Sequence, residues 1–177
     1  MKPIALKLTM MLFLMMAYIV SYCQMDTLFF HNGKVEEAVV KKIKESTISF
    51  TYKNEQAERS VSSYAIERIK FASGREEFFS QKIEVPNDSS WTNIVILNNK
   101  EEAEGLSKLT ALSAHTAFIN LHTSHTGQVK AREKILKSAA QKKAIFLLIT
   151  SEEETVYMTF KFWGLSQHKI RGIAYGY

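Results

Sequence analysis

Apolar residues follow three rhythms along the chain, and each rhythm predicts a different element. Leu8 to Val20 (LTMMLFLMMAYIV) is an unbroken apolar run. Within residues 26–85, Ile48, Phe50 and Tyr52 alternate with Thr47, Ser49 and Thr51, and Ile69 and Phe71 alternate with Arg68 and Lys70. A period of two is what a strand with one buried face requires. Between residues 128 and 143 the period lengthens to that of a helix. There Ala131, Ile135, Leu136, Ala139 and Ala140 share one face, and Lys130, Lys134, Lys137 and Gln141 line the other.

These rhythms divide the chain. "DTLFFHNGKVEEAVVKKI" holds two β-prone segments around His31-Asn32-Gly33-Lys34, and Asn-Gly favours a hairpin because both turn residues tolerate positive φ. "STISFTYK" and "YAIERIKF" are further strands, and "ASGR" turns the chain into "EEFF". Five short strands with no helical segment predict a small SH3/Sm-like β-barrel over residues 24–85. Pro86 lies in "EVPNDSSW", a cluster of turn formers, so residues 86–90 read as a linker. Residues 91–177 then read as an α+β domain. "WTNIVIL" is a strand, and "GLSKLTALSAHTAFINL" one bent strand or two short ones. The helix follows, and "IFLLIT" is the buried centre of the sheet at Ile145–Ile149. "TVYMTFKFW" and "KIRGIAYGY" complete that sheet, and "SEEET" at 151–155 reads as an acidic turn. The expected class is β-rich α+β, with one helix packed on an antiparallel or mixed sheet.

The apolar run near the start has a second meaning. Lys2 and Lys7 precede it as a positive n-region, and its length suits a signal peptide better than the roughly 20 residues of a spanning helix. Lipidation of Cys23 requires a small residue before it, and Tyr22 stands there. Ser21 and Cys23 suit ordinary cleavage, which predicts a signal peptide at 1–23 and a mature N-terminus at Gln24, cyclised to pyroglutamate. The mature chain then has no cysteine and no transmembrane span. Loss of Lys2 and Lys7 brings the formal charge from +5 to +3, a bias too small to imply nucleic acid. The expected location is the periplasm or outer membrane, or the medium.

Two resemblances follow from quoted residues. "DTLFFHNGKVEEAVVKKI", "TISFTY" and "IERIKFASGREEFF" resemble the N-terminal β-module of uncharacterised exported proteins from Bacteroidota, with Ala38 where that group often carries glycine. "KAREKILKSAAQKKAIFLLIT" is similar to the α+β domain of Rcs-type outer-membrane stress-sensor lipoproteins, with Lys143 where a helix-stopping glycine is usual. The resemblance implies a fold; it carries no catalytic residues and no cofactor.

Candidate chemistry is sparse. "HTAFINLHTSHT" holds His115, His122 and His125, and imidazole is a common metal ligand, so a periplasmic metal-binding protein is the alternative function. No G-x-S-x-G elbow or glycine-rich phosphate loop is present in the sequence. The pairs Glu76-Glu77 and Glu101-Glu102 read as charged strand ends and loops rather than glycosidase carboxylates. Lys130, Lys134 and Lys137 offer a face to an anionic glycan or lipopolysaccharide. Tyr157, Phe160, Phe162 and Trp163 put aromatics on both faces of one strand, which is either covered or a binding face. The expectation is a non-enzymatic exported protein acting through protein–protein or cell-surface contacts.

Overall fold

The computed structural model describes residues 25–116, 124–158 and 164–177, with backbone alone for 124–125, 156–158 and 164–166. The expectations for the leader, Cys23 and Gln24 fall outside that range. The chain forms a β-rich α+β fold built on two sheets.

Six strands make the first sheet: β1 (Asp26–Phe30), β2 (Val35–Ile43), β3 (Thr47–Thr51), β4 (Arg59–Ser62), β5 (Ile66–Lys70) and β6 (Glu76–Phe78). Their order is β4-β3-β2-β1-β5-β6, antiparallel throughout. "EEFF" supplies β6 as expected, and "RSVS" at Arg59–Ser62 adds β4, one strand more than the alternation predicts. The Asn-Gly hairpin forms as expected: Gly33 takes φ +87, and Asn32 Oδ1 accepts the Lys34 N–H at 2.9 Å. Leu28, Ala38, Ile48, Phe50, Ile66 and Ile69 fill the core of this sheet. β3 departs from the expected single buried face. All five of its residues are buried, because Thr47, Ser49 and Thr51 are small and flanked by β2 and β4, and the Ser49 hydroxyl bonds that of Ser60 at 3.0 Å.

Asp26 explains how this sheet holds its bend. The β2–β3 register shifts between Val40 and Lys42, which frees a backbone donor. Asp26 Oδ2 accepts the Val40 N–H at 2.8 Å, and its Oδ1 accepts the Ala72 N–H at 2.9 Å. One carboxylate thus ties a bulge to the turn that leaves β5.

The second sheet contains β7 (Val95–Leu97), β8 (Ser107–His115), β9 (Phe146–Met158) and β10 (Gly164–Gly176), in the order β7-β9-β10-β8. β7 runs parallel to β9, and the other pairs are antiparallel, so the sheet is mixed. Helix α1 (Ser124–Gln141) buries Ala131, Ile135, Ala139 and Ala140 with Ala114, Leu147, Ile170 and Ala174. That is the face the sequence predicts, although Leu136 is only partly buried and Ile135 holds the centre. Gly172 lets the helix come close: a Cβ there would stand 2.9 Å from the Leu148 carbonyl and 3.5 Å from Ile135 Cδ1. The helix ends with Lys143 at φ +55. Ala144 N–H donates to Ala139 O at 3.0 Å, and Lys143 N–H donates to Ala140 O at 2.8 Å. This is a Schellman ending with lysine in the position glycine favours.

Two expectations are corrected here. The strand read into "WTNIVIL" begins only at Val95, because Asn87 Oδ1 accepts the Ser89 and Ser90 N–H groups at 3.1 Å and starts 3-10 turns over Asp88–Asn93. "SEEET" is not a turn. It lies within β9, and Glu152, Glu153 and Glu154 face Ile170, Lys169 and His168 across β10. Long-range pairing with a basic strand overrides the weak β-propensity of glutamate.

A third cluster joins the sheets, with Ala65, Leu97, Ala103, Leu106, Phe146 and Leu148 at its heart. The Tyr64 and Tyr177 rings sit 5.5 and 5.4 Å from that of Phe146, and Tyr177 Oη accepts the Ile83 N–H at 2.8 Å. Among the described residues, no helix is long and apolar enough to cross a membrane.

Candidate functional site

The most unusual group in the molecule is the His168 imidazole. Residues 167–170 alternate in β10, and because Ile170 faces α1, His168 faces the same way. Its backbone is pinned to the end of β8: His168 N–H donates to Thr116 Oγ1 and Thr116 N–H to His168 O, both at 3.0 Å. The side chain is 8% exposed, and its Nε2 atom is buried without a hydrogen bond among the described residues. Glu154 Oε1 is 3.4 Å away, within ion-pairing range but outside hydrogen-bond geometry. A buried polar atom left unpaired costs ~1–3 kcal/mol, so this nitrogen calls for a reason.

Around it lies a cleft of about 200 Å³ lined by Gln128, Glu152, Glu153, Glu154, Lys169 and Ile170. The carboxylates differ in how they are held. Glu152 accepts from Arg132 Nε at 3.0 Å and Gln128 Nε2 at 2.9 Å, and Glu153 pairs with Arg171 at 3.1 Å. Glu154 has His168 opposite it. Gly127 in α1 forms the lid, since a Cβ there would stand 2.5 Å from His168 Cδ2.

The second place of interest is the outer face of the first sheet. Cross-strand register puts Val35, Phe29, Arg68 and Phe78 in one row over β2, β1, β5 and β6. The Arg68 guanidinium lies 3.9 Å from the Phe29 ring centroid, while Val35 and Phe78 at the ends are 56% and 71% exposed. Phe78 also borders a cleft of about 570 Å³ with Glu67 and Lys82 at its sides and His31 and Ser80 in its lining.

His31 and Ser80 have the spacing of a nucleophile and its base, Nε2 to Oγ 2.8 Å, but the proton inventory argues otherwise. A serine hydroxyl has one hydrogen. Ser80 Oγ stands 2.8 Å from Ile66 O, with Ser63 O and Tyr64 O at 3.2 and 3.4 Å, so its hydrogen goes to a carbonyl. His31 Nε2–H then donates to Ser80. Burial lowers the His31 pKa from its ordinary value, outweighing the field of Glu67, which keeps the ring neutral for that role. The pair closes the 3-10 turn Ser63–Ala65 and is structural.

Glu36 and Tyr52 form a third polar cluster. Tyr52 Oη donates to Glu36, Lys34 pairs with the same carboxylate, and Arg59 lies 5.1 Å from the Tyr52 ring centroid. Burial opposes ionisation of Glu36, but the bonds from Lys34 and Tyr52 outweigh it and hold its pKa down. Burial, then the bond to Glu36, pushes Tyr52 up to about 12.

Of the residues singled out in the sequence, the structure describes only some. His115 is exposed at the end of β8, and its carbonyl accepts from Lys134 Nζ at 3.2 Å. His122 and the side chain of His125 lie outside the described residues, as do Phe160, Phe162, Trp163 and the side chain of Tyr157. No group of three or more His, Cys, Asp or Glu side chains is placed to hold a metal ion among the described residues. Lys130, Lys134 and Lys137 are exposed as expected, but Lys137 pairs with Glu133 at 2.5 Å. Sequence reasoning missed His168 and Phe78. The signal for His168 was available, since "SQHKI" places it two residues from an apolar position of a strand. Comparison with known protein families, curated proteins and solved structures finds no match.

Proposed function

We propose that this is an exported, non-enzymatic envelope protein that binds a protein partner through the surface centred on Phe78. The observation that carries this reading is the exposure of Phe78 at the junction of the Val35–Phe29–Arg68 row and the 570 Å³ cleft. A lone exposed hydrophobic residue is ordinary, whereas an aromatic continuous with a row and a cleft has the makings of an anchor. The cleft offers one carboxylate, Glu67, and one ammonium, Lys82, beside its aromatics. Mixed charge around an apolar centre suits a peptide segment better than a polyanion. The lysine face of α1 supports anionic glycan or lipopolysaccharide less well, because Glu133 offsets Lys137.

The finer fold assignment belongs to this proposal. Strand order β4-β3-β2-β1-β5, a bulged β2 and a 3-10 turn between β4 and β5 support an SH3/Sm-like module. Export rests on Lys2, Lys7 and the apolar run before Cys23. Kinship with exported Bacteroidota modules and with Rcs-type stress sensors is the same kind of reading, drawn from packing motifs.

Phe78→Asp tests the binding claim. In native extracts the wild-type chain should elute in a larger assembly, and the variant should elute free with an unchanged unfolding midpoint. Wild-type and variant chains both eluting at monomer size would sink the reading.

A further inference from the structure

We propose that His168 and Glu154 are two protein ligands of a divalent transition-metal cation of the zinc type. The inference is independent of the Phe78 surface and differs from the metal reading of the sequence, which rests on His115, His122 and His125.

Three observations converge on it. His168 Nε2 is buried, has no hydrogen bond among the described residues, and lies beside Glu154 at the cleft that His168 lines. The 3.4 Å separation of Nε2 from Glu154 Oε1 is long for a hydrogen bond. It matches the spacing of two neighbours on a tetrahedral cation: zinc–nitrogen and zinc–oxygen bonds near 2.0–2.2 Å at a tetrahedral angle put the ligands about 3.4 Å apart. The charge arrangement leaves the right carboxylate available. Arg132 and Gln128 occupy Glu152, and Arg171 occupies Glu153, so of the three glutamates Glu154 is the one that, among the described residues, has no neighbour but His168 to share its charge.

The ligand types select the cation. An imidazole nitrogen beside one carboxylate favours zinc, nickel or copper over calcium and magnesium, which prefer oxygen-only shells. Two protein donors leave the remaining positions to water or to a group from a partner, so the site is open and of modest affinity. Surrounding contacts preset the ligand: Thr116 fixes the His168 backbone and Gly127 closes over the ring. Gly127 lies near the start of α1, so the first turns of the helix pack against the buried His168 ring.

The test is Zn2+ alone, titrated against a chromogenic chelator, with untagged full-length protein. Wild-type protein should bind one equivalent. Glu154→Gln and His168→Gln should each weaken it at least about tenfold. Glu154 is 36% exposed, so Glu154→Gln should fold normally and keep the test decisive if His168→Gln does not. Co2+ in place of Zn2+ should give the intense visible absorption of tetrahedral coordination, lost in Glu154→Gln. A triple variant replacing His115, His122 and His125 with Ala should still bind. The proposal is overturned if wild-type protein binds no Zn2+, or if Glu154→Gln binds as wild type does. It is equally overturned if the triple variant alone abolishes binding, because the metal would then belong to the segment that carries His115, His122 and His125.

Discussion

Gly127 of α1 lies so close to His168 of β10 that a single added methyl group at Gly127 would come within 2.5 Å of the imidazole ring. The helix can reach the sheet at this end only because one residue has no side chain, and the buried histidine has nowhere to retreat.

Gly127→Ala therefore sets two effects against each other. Alanine gains ~1 kcal/mol of helix propensity over glycine. Overpacking a buried ring costs ~1–3 kcal/mol. The clash should prevail, giving a lower urea midpoint and a displaced His168 ring resonance. A stabilised protein with an unmoved His168 resonance would show that the contact is loose.

The centre of the same helix tests the packing of the second sheet. Ile135 is fully buried, so Ile135→Ala should cost ~2–5 kcal/mol by leaving a cavity. Leu136 is only partly buried, and Leu136→Ala should cost visibly less. Ala139→Leu should overpack the contact with the sheet by ~1–3 kcal/mol. Exchanging exposed Lys130, Lys134 and Lys137 for Gln should stay within ~0.5 kcal/mol per site. Urea midpoints at constant m-value rank the series, and an order with Leu136 above Ile135 would contradict the packing described.

Lys143 holds φ +55, a conformation that costs a non-glycine residue ~1–2 kcal/mol. Glycine removes that strain but adds freedom to the unfolded chain, which offsets ~0.5–1 kcal/mol. Lys143→Gly should stabilise the protein by up to about 1 kcal/mol. Thermal unfolding reads the change, and a lower midpoint would place the helix end elsewhere.

Acid should weaken the fold in steps. His31 has its folded pKa below 6.5, so its contribution is complete above pH 6.5 and is lost as pH falls through the folded value. Glu36 follows the same sign below 4.5. Tyr52 has the opposite sense: its folded pKa of about 12 lies above 10, so its contribution is present below pH 10 and is lost as pH rises towards 12. A urea-midpoint profile should show a plateau between these limits. His31→Phe should flatten the first acid step and Tyr52→Phe the alkaline one; an unchanged profile in either variant would remove that residue from the account.

What was legible in the sequence were the elements whose pattern is local. The Asn-Gly hairpin, the helix with its buried alanines and the apolar start of β9 follow from periodicity and turn chemistry. What was not legible depends on partners distant in sequence. Three glutamates in a row look like a turn until Ile170, Lys169 and His168 are set opposite them and Arg171 pairs with Glu153. Trp91 looks like a strand residue until Asn87 caps the turn before it. The helix–sheet contact at Gly172 and the Gly127–His168 contact join residues whose spacing carries no common motif. For the same reason the alternation of β10 did not show that the His168 nitrogen is buried and, among the described residues, without a hydrogen bond.

The central claim is that Phe78 anchors a protein partner. Replacing Phe78 with a photo-crosslinking phenylalanine analogue in cells that make the protein tests it most directly. Val129, 51% exposed on α1, is the matched control. A discrete adduct from position 78, lost on Glu67→Lys and not seen from position 129, is the predicted result. No adduct from position 78, or the same adducts from both positions, would contradict the claim.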